Sequence, residues 1–185
     1  MESRQAEVSW TIAQGASPVS SVSKVIDAFT LLYAGLRDPG FRKSLPLDRW
    51  SERQLLPLVR TFLLGYFGPR ARPEYGTVLP GALTGQGRVD FLVYGVAVEL
   101  AVRRPWCPRS DLLPRENETE VIKLMKHDGL GLLVLFDFSR NGLSEEELGR
   151  YRNLPSLGQG NHSKSPFSVV YFGLDGDPVR LNVRV

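Results

Sequence analysis

The 185-residue chain has a single cysteine, Cys107, which excludes an internal disulfide and any multi-cysteine zinc site. That cysteine lies between Trp106 and Pro108 and carries no nucleophile signature. Histidine is nearly as scarce, and neither His127 nor His162 has a partner at metal-ligand spacing. No apolar run reaches the roughly 18 residues that a membrane-spanning helix needs. The opening "MESRQAEVSW" lacks the apolar segment of a secretory leader. No Gly-Lys-Ser/Thr follows the glycines at 85, 87 and 95, so there is no phosphate-binding P-loop. These absences suit a reducing cytoplasm and no membrane association. Lysine is also rare: there are five, against eighteen arginines, at a net charge of +3. The guanidinium fork matches phosphate oxygens, so the bias permits nucleic-acid recognition. A G+C-rich coding sequence produces the same bias, and charge alone does not choose between the two.

What is present is ordinary globular composition, 42% apolar and 23% charged. The length fits one domain over residues 1–185, with 1–20 a loose arm and "EVSWTIA" at most an edge strand. "SVSKVIDAFTLLYAGLRDPG" predicts a helix whose face is Val22, Val25, Ile26, Phe29, Leu32 and Leu36, ended by Asp38-Pro39-Gly40. "FRKSLPLDRW" reads as a connector. "SERQLLPLVRTFLLGYFG" predicts a second helix, with Ser51 as N-cap and Gln54 completing a capping box. Its apolar face is Leu55, Leu58, Val59, Phe62, Leu63 and Tyr66, and Pro57 must lie early or kink it. Residues 68–87 form a Gly- and Pro-rich loop with a short edge strand near Thr77–Leu79.

"RVDFLVYGVAVELAVRR" holds two alternating runs joined at Tyr94-Gly95, a hairpin signal. A loop with three prolines leads to a helix in "RENETEVIKLMKHDG", with Val121, Leu124 and Met125 as its stripe. "LGLLVLFDFS" is a strand buried on both faces. "SEEELGRYRNL" is a helix capped by Ser144, and the end is a second hairpin turning near Asp175–Asp177. The class is α/β, a mixed central sheet flanked by helices.

Side chains two apart on a strand share a face. Glu99 therefore sits with Ala97, Ala101 and Arg103, away from Val96, Val98, Leu100 and Val102. Asp90 and Glu99 stand at similar distances from the Tyr94-Gly95 turn and can face each other. Two carboxylates that close repel unless a cation lies between them, and hard oxygens suit Mg²⁺ or Mn²⁺. The alternative is that they are solvent-facing edge-strand residues, or an internal pair with arginines such as Arg88 and Arg103.

"GRVDFLVYGVAVELAV", with its Asp, short gap and Glu on the next strand, resembles the motif of the PD-(D/E)XK nuclease superfamily. "ETEVIKLMKHDGLGLLVLF" is similar to the helix and strand that follow that motif. The resemblance spans roughly residues 50–138 and implies a restriction-endonuclease-like core. It implies Asp90 and Glu99 as ligands of Mg²⁺ or Mn²⁺, with Glu52 on the preceding helix as a further acid. The lysine of the Glu-x-Lys motif is replaced by Ala101. Lys123, which shares a helical face with Glu120 and His127, is the candidate substitute. Arg103 can stabilise charge but cannot deprotonate water. Lys123 is more often a solvated helix residue, and Glu52 more often just a favourable charge in a first helical turn.

The expected partner is nucleic acid, DNA ahead of RNA, with Arg103, Arg104, Arg109 and Arg115 following its backbone or merely solvating a loop. The expected function is a nuclease-like domain that binds nucleic acid, its metal-dependent phosphodiesterase activity weak or lost. The alternatives are an active nuclease using Lys123, and a scaffold of the same fold that binds protein.

Overall fold

A computed structural model describes residues 18–46, 49–78, 86–156 and 166–183, and among these described residues there are six strands and five α-helices. The expected arm over 1–20 lies almost wholly outside the described residues, and so do Leu79 and His162. Helix α1 (Pro18–Arg37) buries Val25, Ile26, Phe29, Leu32 and Leu36, the expected face. The Asp38-Pro39-Gly40 stop also starts a helix. The Asp38 carboxylate accepts the Phe41 N–H at 2.8 Å, and Pro39 opens the short α2 (Pro39–Ser44). This corrects the expected connector at that place.

Helix α3 (Glu52–Phe67) has the Ser51–Gln54 capping box, with the Ser51 N–H donating to Gln54 Oε1 at 2.9 Å. Pro57 stands inside it on an exposed face. Leu55, Val59 and Leu63 are buried, whereas Tyr66 is 52% exposed and lies off the core.

The sheet runs β1 (Ala71–Val78), β2 (Gln86–Val93), β3 (Val96–Arg103), β4 (Leu130–Asp137), β5 (Phe167–Phe172) and β6 (Val179–Val183), in sequence order. Strand β2 runs antiparallel to both β1 and β3, β4 lies parallel to β3 and β5 to β4, and β6 returns antiparallel. The sheet is thus mixed, as expected. The β2–β3 turn is Tyr94-Gly95, with φ of 53° and 78°, the two-residue hairpin geometry that matches strand twist. Strand β1 is much longer than the edge strand expected near Thr77. Pro73 and Gly76 argue against a strand by propensity. An edge position has no ladder partner on its outer side, and so it tolerates them.

Helices α1 and α3 cover one sheet face, packing on Phe91, Val93, Val96, Val98, Leu100 and the even-numbered core positions of β4. Helix α4 (Glu118–Lys126) and α5 (Glu145–Gly149), with the 3₁₀ segments Arg109–Leu112 and Arg150–Ser156, cover the other. Val121, Leu124 and Met125 of α4 are buried against Ala97, Ala101, Leu133 and Leu135. The alternation along β3 therefore sends Glu99 toward α4, with Ala97 and Ala101 as its neighbours. No helix among the described residues is long and apolar enough to cross a membrane.

Candidate functional site

The β2–β3 ladder starts at the turn with Val93↔Val96 and ends at Phe91↔Val98. One step further the same register sets Asp90 opposite Glu99, and there the backbones part. The Leu100 N–H donates to Asp90 Oδ2 at 2.9 Å, so the carboxylate takes a donor of β3. The β1–β2 ladder is broken at the same level. Pro73↔Phe91 and Tyr75↔Val89 are paired, but Glu74, opposite Asp90, has φ of 46°. A residue held in the left-handed region beside a polar cluster is the kind of local strain found at functional sites.

Three further groups meet this gap. Glu52, at the first position of α3, acts electrostatically with Asp90, Glu120 and Lys123. Lys123, in the second half of α4, places Nζ 3.1 Å from Glu99 Oε1 and 3.3 Å from Oε2. The structure thus brings Glu52, Asp90, Glu99 and Lys123 to one place. It adds Glu120, three residues before Lys123 on α4, which acts on Asp90, Glu99 and Lys123 alike. Sequence reasoning put Glu120 on the Lys123 face but gave it no role. The i, i+3 spacing was the available signal. His127, four residues after Lys123, leaves the cluster, because α4 ends at it and its ring turns to the backbone of Gly95.

Burial dominates the electrostatics. It raises Glu99 well above the ordinary carboxylate range, Asp90 raises it further, and Lys123 pulls the other way. Burial also raises Asp90, opposed by the Leu100 N–H and Lys123. Glu52 is pushed up to about 7 by burial, then by Asp90 and Glu120. For Lys123, burial works to lower the ammonium, but Glu99 outweighs it with help from Glu120 and Asp90, and the net shift is upward. Four acids around one amine form a site that attracts positive charge.

Asp90 and Glu99 are the residues here that could offer hard oxygen ligands to a divalent ion. Glu99 has a side chain only 2% exposed, and its Oε1 is buried with the Lys123 ion pair but without a hydrogen bond. Such an oxygen has acceptor capacity to give. No group of three or more His, Cys, Asp or Glu among the described residues is arranged to hold a metal. Mg²⁺ often takes only one or two protein carboxylates and completes its shell with water and substrate phosphate.

The four arginines differ in their settings. Arg103 is 3% exposed; its Nη1 pairs with Asp137 Oδ2 and with the Asn141 carbonyl, each at 3.1 Å, and its Nε reaches the Cys107 carbonyl at 3.4 Å. Its charge is committed inside the protein, which removes it from the expected backbone-following group. It lies on the Glu99 face, but two alternate positions beyond Glu99 and in a network of its own. Arg109 is exposed and paired with Glu147 at 2.6 Å. Arg104 is half-buried over the Trp106 ring, and Arg115 is exposed ahead of α4.

Comparison with protein-family models, with curated proteins and with solved structures returned no match.

Proposed function

We propose that this chain is a nuclease-like domain of the PD-(D/E)XK type that binds nucleic acid and hydrolyses phosphodiesters weakly with Mg²⁺ or Mn²⁺. The observation that carries the reading is the amine beside the acid. Lys123 Nζ lies 3.1 Å from Glu99, although the residue two after Glu99 is Ala101. Ala101 is buried against α4, so an amine cannot come from that position without disturbing the packing; α4 delivers one instead. The helix, meander, helix, strand order of α3, β1–β3, α4 and β4, with β4 parallel to β3, supports a restriction-endonuclease-like core.

In this reading Asp90 and Glu99 hold the ion, which when bound polarises the phosphate and activates water. Lys123 keeps its proton on Nζ and offsets the charge that develops on the phosphate. Glu52, with its carboxyl near 7, both accepts and releases a proton at neutral pH. Of the four arginines expected to follow a nucleic-acid backbone, Arg104, Arg109 and Arg115 lie outside the core, and Arg109 is available only after leaving Glu147. The test is cleavage of DNA and RNA with Mn²⁺, in which Lys123→Met lowers the rate at least 100-fold. Activity that survives both Asp90→Ala and Glu99→Ala rules the assignment out.

The Lys123–Glu99 contact also favours a second reading, a domain of the same fold that has lost catalysis and keeps a role in binding. An ammonium on both Glu99 oxygens neutralises that carboxylate without any metal. It requires no cleavage under any metal. Nucleic-acid binding that weakens steeply with salt then marks nucleic acid as the partner, and a flat response marks a protein complex.

A further inference from the structure

Lys123 does not sit beside Glu99 at random. Its Nζ spans the carboxylate fork, 3.1 Å from one oxygen and 3.3 Å from the other. That is the approach by which any cation neutralises a carboxylate. Lys123 is also the cation that acts on Glu52, Asp90 and Glu99 alike.

We propose that Lys123 is a tethered cation that occupies Glu99 in the resting protein and has to swing off before a divalent ion can take Asp90 and Glu99 together. This rests on the metal-binding reading of those two carboxylates and adds how the site is gated. Three observations support it.

Glu99 cannot be the partner that moves. Its side chain is 2% exposed on the inner face of β3, whereas Lys123 is 25% exposed on a helix with an open side. Lysine has a flexible four-carbon stem and a compact charge, so release needs only side-chain rotation. A receiving group is in place. Glu120 lies three residues earlier on α4, about one helical turn away, and already attracts the Lys123 ammonium. Finally, a divalent ion bonds carboxylate oxygen at about 2.0–2.1 Å when it is Mg²⁺. An ammonium on the same fork would sit close against it and be repelled, so the two cations take turns.

The consequence is a crossing of two properties in one variant. Lys123→Met removes the competing cation and tightens metal binding, while in the nuclease reading it also removes the amine that assists cleavage. Mn²⁺ binding is read by the spin-resonance signal of the free ion, on the full chain. Lys123→Met is expected to bind Mn²⁺ at least tenfold more tightly than the unmodified protein. A second measurement needs no variant. The five lysines are acylated and quantified by mass spectrometry with and without saturating Mn²⁺. Lys123 is expected to react several-fold faster with the ion present, while Lys24, Lys43, Lys126 and Lys164 do not change. Equal Mn²⁺ affinity in the variant, absence of binding in both proteins, or Lys123 reactivity that is unchanged or slowed by Mn²⁺ overturns the gate. Released Lys123 with no cleavage of any nucleic acid sinks the nuclease reading and keeps the gate. Cleavage with Lys123 still protected does the reverse.

Discussion

Glu52 shows how one side chain ties stability to pH. Its carboxyl titrates near 7 in the folded chain, against an ordinary value of 4.5. Between pH 4.5 and about 7 the unfolded chain has given up this proton while the folded chain retains it. Stability contributed by Glu52 is therefore full in acid and is lost as pH rises through about 7. The loss is on the order of 3 kcal/mol at full ionisation. Asp90 and Glu99, both raised by burial, act in the same direction. Without metal the unfolding midpoint should fall between pH 5 and pH 8, and Glu52→Gln should flatten that fall in a thermal-melt series. Arg103 tests a different cost. Asp137 is fully buried and meets Arg103, the Tyr171 hydroxyl at 2.8 Å and the Ser139 N–H at 2.9 Å. Arg103→Met leaves that carboxylate without its cation and should destabilise by about 3–5 kcal/mol, measured by urea unfolding. Because the pair lies away from the Glu99 cluster, cleavage per folded molecule should change little.

The hairpin is the element that sets the register of Asp90 against Glu99. Gly95, at φ 78°, has open space where a Cβ would lie, so the cost of a side chain there is purely conformational. Gly95→Ala should lose about 1–2 kcal/mol in chemical denaturation. This turn was legible in the sequence because "Tyr-Gly" between alternating runs satisfies one local rule. The capping box at Ser51–Gln54 and the Ser144 cap were legible for the same reason. Strand β1 was hidden, since Pro73 and Gly76 oppose a strand locally and only its edge position accommodates them. Helix α2 was hidden because Asp38-Pro39 is at once a stop for α1 and a cap for the next helix. Arg103 was misjudged because its partner, Asp137, is 34 residues away on a parallel strand. Alternation does place Arg103 on the right face, but it does not say what covers that face.

At the scale of the whole molecule, two helical layers meet the sheet at the point where β2 leaves β3. The α3 end brings Glu52 from one layer, and α4 brings Glu120 and Lys123 from the other. Asp90 and Glu99 were readable from strand alternation; the amine was readable only as a candidate, because the stripe of α4 gives its inward face but not its position along the sheet. Packing fixes it: Val121, Leu124 and Met125 turn inward, and Lys123 is carried to the gap. A net charge of +3 with Arg104, Arg109 and Arg115 outside the core should give nucleic-acid affinity that falls steeply with salt, checked by fluorescence anisotropy between low and moderate ionic strength. Neutralising Arg104 and Arg115 together should lower that slope. The most direct test remains hydrolysis. Labelled DNA and RNA are incubated with the unmodified chain, Glu99→Gln and Lys123→Met in Mn²⁺. Slow cleavage by the unmodified chain, reduced at least 100-fold in both variants, is the expected result. Cleavage that persists undiminished in Glu99→Gln would contradict the assignment of Asp90, Glu99 and Lys123 as one site.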